Sequence, residues 1–121
     1  MVQPLRSGRD VRRALREGRR VHGGAAVLHA RRRGAQEGPG GAARLAVIAG
    51  RRVGNAVSRN RARRVLREAC RVLLAEGEAL WDLVLVARPE VLELPHSVRV
   101  ERVKALLGEA GVLGEKGASA G

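Results

Sequence analysis

The chain has 121 residues, enough for one compact domain and too few for two hydrophobic cores. It carries 24 basic residues against 12 acidic ones, and a net charge of +12 implies a polyanionic partner, nucleic acid or an anionic membrane surface. No apolar run approaches the roughly 18 residues of a membrane-spanning helix, and Cys70 is the only cysteine, so no disulfide can close within the chain.

The N-terminal MVQPLRSGRD lacks the apolar stretch of a secretory signal, so the expectation is a cytoplasmic protein without a membrane partner. A short helix is expected from Asp10 to Gly18, with Val11, Ala14 and Leu15 forming one apolar stripe. Asp10 stands at its start and Gly18 at its stop. The apolar runs Ala25–Ala30 and Arg44–Ala49 read as strands, and the Gly-rich segment 34–41 between them reads as an exposed loop.

A long helix is expected from Asn55 or Ala56 to Ala75, with Gly50 and Gly54 as turn residues before it. At 100° per residue, Ala62, Val65, Leu66, Ala69, Val72 and Leu73 share one arc. Arg59, Arg63, Arg67 and Arg71 recur at i+4 on the opposite side, with Asn60 and Arg64 beside them. Like charges at that spacing each cost a few tenths of a kcal/mol, a penalty a polyanion would relieve. Glu68 is expected to pair with Arg64 rather than to act in acid–base chemistry.

Trp81–Arg88 reads as a buried strand ended by Pro89. Ser97 is the expected N-cap of a last helix with apolar positions Val100, Val103, Leu106, Leu107 and Ala110, and Gly111 its C′ residue. One RNA-binding domain over 1–113 and a disordered tail over 114–121 complete the expected organisation.

The charge is unevenly spread. Residues 51–71 hold eight Arg against Glu68 alone, whereas the residues after Arg71 carry five basic and eight acidic side chains. Arg outnumbers Lys by 22 to 2, and Arg offers a planar, permanently charged fork suited to phosphate oxygens.

The same segment, RRVGNAVSRNRARRVLREACR (Arg51–Arg71), resembles the signature of the bacterial ribonuclease P protein family. In that signature two basic residues precede V-G-N-A-V, followed by R-N-R, a basic pair and R-E. Here these are Arg51 and Arg52, residues 53–57, Arg59-Asn60-Arg61, Arg63 and Arg64, and Arg67-Glu68. Further resemblance lies in LRSGRDVRRALREGRRV, in LVLVARP and in the stretch 94–111.

The resemblance implies an α+β single domain: a sheet of about four strands, an N-terminal helix, the long Arg-rich helix in a left-handed β-α-β crossover and a C-terminal helix. Such a fold is like the second domain of a small-subunit ribosomal protein. It implies a protein without catalytic residues of its own, assisting a catalytic RNA that removes 5′ leaders from precursor tRNA with Mg²⁺ held by RNA and substrate. The partners are then the RNA subunit and precursor tRNA, the protein itself being monomeric. The RNA-binding residues implied are Arg51, Arg52, Asn55, Arg59, Asn60, Arg61, Arg63, Arg64 and Arg67. A leader-binding groove between the sheet and the long helix is also implied. Val11, Leu15 and His29 stand where the family usually has aromatic residues, so stacking there is reduced.

Other chemistries find no support. His22, His29 and His96 have no zinc-ligand spacing with the lone Cys, and no phosphate-binding Gly pattern occurs. Asp10, Glu17 and Asp82 form no recognisable metal-binding pair. A ribosomal protein or RNA chaperone would share the charge without needing the ordered motif. A DNA-binding regulator would call for a helix-turn-helix, which is absent from the pattern.

Overall fold

Trp81–Ala87 is the strand around which the molecule is built. Its residues Leu83, Val84 and Leu85 have no solvent exposure, because helices cover both faces of the sheet at this strand. The computed structural model describes residues 2–34, 43–74 and 80–113. In chain order the elements are β1 (Val2–Pro4), α1 (Gly8–Glu17), β2 (Arg19–His22), β3 (Ala26–Arg32), β4 (Ala43–Ile48), α2 (Ala56–Leu73), β5 (Trp81–Ala87) and α3 (His96–Glu109). Short 3₁₀ turns at Arg51–Val53 and Pro89–Glu93 lead into α2 and α3. The sheet order is β1-β4-β5-β3-β2.

The described sheet thus has five strands rather than about four. The two unforeseen ones, β1 and β2, are the edges. They are three and four residues long, and Val21 is the one buried side chain in β2, so neither carries enough alternation to be seen in sequence. Pro4 and the exposed Arg19 and Arg20 suit edges, where a missing N–H is harmless and charge discourages further pairing.

Two layers flank the sheet. On one face, Leu28, Leu45, Val47, Leu83 and Leu85 pack with Ala62, Leu66, Ala69 and Cys70 of α2 and with Val103, Leu106 and Leu107 of α3. On the other face, Val84, Ala46 and Val86 meet Leu5, Val11, Ala14 and Leu15 around α1.

This arrangement constrains handedness. β1, β4, β5 and β2 run parallel to one another, and both β1-α1-β2 and β4-α2-β5 progress the same way across the sheet. With α1 and α2 on opposite faces, the two crossovers have opposite hands. One is therefore left-handed, against the strong general preference, as the expected fold requires.

Local signals explain the helix ends. Ser7, not Asp10, caps α1: its Oγ accepts the Asp10 N–H at 3.3 Å. Gly18 stops α1 through crowding, since a Cβ there would lie 2.5 Å from the Ala14 carbonyl oxygen. Asn55 caps α2, its Oδ1 accepting the Ser58 N–H at 2.9 Å, and Gly54 before it has φ 135°, a conformation that favours glycine.

At α3 the N-cap position is Pro95 with no side-chain cap, so Ser97 lies inside the helix instead. Gly111 does occupy C′ with φ 89°, and Val112 N–H reaches the Leu107 carbonyl at 2.9 Å to close a Schellman turn. Residues 35–41 of the expected loop, Ala75 and the tail 114–121 lie outside the described residues.

Candidate nucleic-acid interface

The arginines divide into those used within the fold and those left facing outward. Asp82 of β5 is fully buried, and its register partners Arg31 on β3 and Arg44 on β4 flank it on the α1 face of the sheet. Arg44 donates to both carboxylate oxygens at 2.7 Å, Arg33 donates to Oδ1 at 2.6 Å, and Arg31 lies 3.7 Å away. Arg44 also reaches Asp10 at 3.5 Å, and Arg31 reaches Glu17 at 3.5 Å, so both carboxylates of α1 are tied to the sheet. Glu17 is held below the ordinary carboxylate range, first by its hydrogen bond from Arg13. Arg99 of α3 is buried too, with Nε donating to the Val91 carbonyl at 2.8 Å and Nη2 to that of Leu92 at 3.3 Å.

α2 is different. Among the described residues, Arg51, Arg52, Arg59, Arg61, Arg64 and Arg67 have no carboxylate or other acceptor. Arg61, Arg64 and Arg67 are exposed, as are Arg51 and Arg52 on the turn before the helix. Asn60 accepts a hydrogen bond from Arg63, so its amide oxygen already serves within the helix. Asn55, expected as an RNA contact, uses its side-chain oxygen to cap the helix while remaining exposed.

Three sequence expectations need correction. The i+4 series does not stay opposite the core, because each step advances about 40° around the helix. Arg59 and Arg63 lie beside the buried stripe and are half-buried, whereas Arg67 and Arg71 reach the outer face. Val72 lies about 120° from Leu66, outside the stripe, and is 59% exposed, while Cys70 takes a core position. Glu68 pairs with Arg71 rather than Arg64, its two oxygens accepting from Nη2 at 2.7 and 2.9 Å.

Between β1 and the outer face of α2 lies a groove lined by Gln3, Leu45, Arg64, Arg67, Glu68 and Arg71 among others. Nothing in the sequence pattern pointed to Gln3, because β1 itself was not legible there.

Val11, Leu15 and His29 lie on the other side of the sheet from α2. Val11 and Leu15 are half-buried against Ala46 and Val86. His29 stands beside Val84 in register, on the same face, and its buried Nδ1 has no hydrogen-bond partner among the described residues. The groove these residues could line is therefore between α1 and the sheet, not between the sheet and the long helix. His29 is pushed below the usual imidazole range by burial first, then by Arg20 and His22.

Among the described residues, no three His, Cys, Asp or Glu side chains gather as a metal site, and no helix is long and apolar enough to cross a membrane. Fold and site together define a basic α+β protein whose long helix presents unpaired guanidinium groups, the attributes of a nucleic-acid-binding domain.

Comparison with known proteins makes the class specific. The Ribonuclease P family model matches residues 2–111. The ribonuclease P protein component of Ruegeria pomeroyi is 43% identical over 89 residues, 73% of this chain and 69% of that one. That of Symbiobacterium thermophilum is 38% identical over 101 residues, 84% of each chain. The RNase P protein structure of Staphylococcus aureus superimposes with a TM-score of 0.75 at 22% identity, covering 90% of this chain and 95% of that one. This chain belongs to the ribonuclease P protein family.

Proposed function

We propose that this chain docks onto the catalytic RNA of ribonuclease P through the outer face of α2 and the turn before it. Family membership makes it the protein component of a ribonucleoprotein endoribonuclease that matures tRNA 5′ ends, in partnership with the RNase P RNA and precursor tRNA. The observation that carries the docking surface is the set of arginines at 51, 52, 59, 61, 64 and 67, none with an acceptor among the described residues. Guanidinium groups left unpaired on a fold that neutralises Arg31, Arg33 and Arg44 internally are best explained by phosphate oxygens.

In this reading the protein supplies electrostatics and the RNA supplies bond cleavage. Mg²⁺ is held by the RNA subunit and substrate, and no step is assigned to a protein-held metal. The α1 face of the sheet, with Val11, Leu15 and His29, receives the 5′ leader. Contact there is weaker and more ionic than stacking on aromatic rings would make it, given stacking energies of about 1–3 kcal/mol per base. The protein works as a monomer in the cytoplasm.

The test is reconstitution. Purified protein with a bacterial ribonuclease P RNA should cleave precursor tRNA at Mg²⁺ concentrations too low for the RNA alone. Joint replacement of Arg61, Arg64 and Arg67 by Ala should remove that stimulation while leaving the fold intact. Unchanged stimulation by the triple variant, or RNA cleavage by the protein without the RNA subunit, would falsify the assignment.

A further inference from the structure

Arg44, Asp82 and Arg31 stand side by side on neighbouring strands β4, β5 and β3, one row across the sheet beneath α1. Strands lie about 4.8 Å apart, so the two arginines are roughly 10 Å from each other. On α1, Asp10 and Glu17 are two helical turns apart, a rise of about 10.5 Å that brings the second carboxylate within about 20° of the first around the helix. The two spacings match. One carboxylate meets each arginine: Asp10 Oδ2 lies 3.5 Å from Arg44 Nη1, and Glu17 Oε1 lies 3.5 Å from Arg31 Nε.

Ala14 is the one fully buried side chain of α1. A methyl group serves as a pivot, but it does not fix how far the helix rolls about its own axis. Ala14 lies about 40° round from Asp10, and Val11 and Leu15 lie about 100° and 140° round in the same direction. The carboxylates are therefore on one flank of the pivot, over the charged row. Val11 and Leu15 are on the other flank, half-buried against Ala46, Val84 and Val86. Loosening the first flank moves the second.

Both contacts are longer than the 2.7 Å bonds from Arg44 to Asp82, and the Asp10 and Glu17 side chains are 25% and 46% exposed. Glu17 is also held within the helix, by Arg13 at 3.2 Å and Arg16 at 3.5 Å. Solvated pairs of this kind contribute little to stability, so they orient α1 rather than hold the fold together.

We infer that Asp10 and Glu17 are positioning residues for the 5′ leader: they set the roll of α1 on the sheet, and so the placing of Val11 and Leu15 in the wall of the leader site. The inference rests on the reading of the α1 face as that site. It gives two acidic side chains of a strongly basic chain a task that opposes bulk electrostatics. By charge alone, removing them should tighten the binding of any RNA. As positioning residues, their loss loosens the leader and nothing else.

The experiment assembles the full chain with a bacterial ribonuclease P RNA and measures affinity for precursor and for mature tRNA. Thermal unfolding and amide hydrogen exchange of each free variant run alongside. The double variant Asp10→Asn, Glu17→Gln should hold the catalytic RNA at least as tightly as wild type and bind mature tRNA within about twofold. Its precursor affinity should fall about fourfold, the loss equivalent to uncovering one methylene. Amides of α1 should exchange faster while those of β3, β4 and β5 do not.

Leu15→Ala alone should weaken the precursor too, and in its background the double change should add little, because the carboxylates act through that flank. Glu101→Gln, exposed on α3, makes the same kind of charge change away from α1 and should leave both tRNAs within about twofold. Unchanged or tighter precursor binding by the double variant, equal losses for precursor and mature tRNA, or full additivity with Leu15→Ala would each overturn the positioning role. If the double variant does not fold, Asp10→Asn decides alone by the same comparison. A wild-type holoenzyme that holds precursor no tighter than mature tRNA sinks the leader reading itself, and that failure is visible before any variant is made.

Discussion

Arg44 meets Asp82 side-on across two neighbouring strands, Nε and Nη2 each donating to a different carboxylate oxygen at 2.7 Å. The parallel register of β4 and β5 sets the two residues opposite each other, and Arg33 closes on the same carboxylate at 2.6 Å. Asp82 is thus the anion on which three arginines converge beneath α1. Neutralising it takes the central carboxylate from three cations, leaving Arg31 and Arg44 only the longer contacts to Glu17 and Asp10 at 3.5 Å, and breaking a buried pair costs up to about 3–5 kcal/mol. Asp82→Asn should therefore lower the urea unfolding midpoint sharply, with the slope of the transition unchanged. A midpoint equal to wild type would show that the cluster contributes no stability.

Asn55 has one observed role, the helix cap, and one proposed role, RNA contact, and the two separate by substitution. Its side-chain oxygen caps α2, and an N-cap Asn replaced by Ala costs about 1 kcal/mol. Asn55→Ala should lower the unfolding temperature by several degrees. Asn55→Asp keeps the capping acceptor and should preserve stability, yet it places a carboxylate on the turn proposed to dock on RNA and should weaken RNA binding. If Asn55→Asp binds RNA as wild type does, Asn55 caps the helix and nothing more.

Cys70 is buried in the α2 stripe, where burial pushes its thiol up to about 12. The thiol is accordingly un-ionised near neutral pH and shielded from reagents. A thiol-reactive dye should label it only in denaturant, with labelling that tracks unfolding monitored by circular dichroism. Rapid labelling of the native protein would contradict the placement of Cys70 in the core.

His29 makes stability depend on pH. Its imidazole sits below the ordinary value of 6.5 because burial, then Arg20 and His22, disfavour the charged form. The unfolded chain therefore binds the proton more readily than the folded one. Stability should be fully present above the unfolded value and fall as pH drops through 6.5 toward the lower folded value. His29→Gln should shrink the stability difference between about pH 5 and pH 8. On the functional side, His29→Ala should weaken binding of precursor tRNA more than that of mature tRNA. An equal loss for both would remove His29 from leader contact.

Much of the architecture was legible because its causes are local. The apolar run Leu83–Val86 announces a buried central strand, and the apolar spacing in residues 62–69 announces an amphipathic helix. Gly111 beyond Ala110 announces a Schellman stop. Failures cluster where a competing contact decides. Ser7 captured the α1 cap from Asp10, and Arg71, not Arg64, took Glu68, because rotamer and neighbour choose between i+3 and i−4 partners. The lone carboxylate in the apolar strand WDLVLVA was the one sequence sign of the buried arginine cluster.

By itself the sequence determined the family, the phase of α2, the central strand and the excess of arginine on one segment, since backbone geometry ties those to residue spacing. Only the tertiary structure decided which arginines are spent and which are free. Strand register brings residues 31, 33, 44 and 82 together from distant parts of the chain, and no local period encodes that. It likewise decided that α1 and α2 lie on opposite faces, placing His29 apart from the arginine helix. Layer choice is a property of the closed sheet, because a helix's apolar stripe is satisfied equally well by either face until the strands between them are ordered.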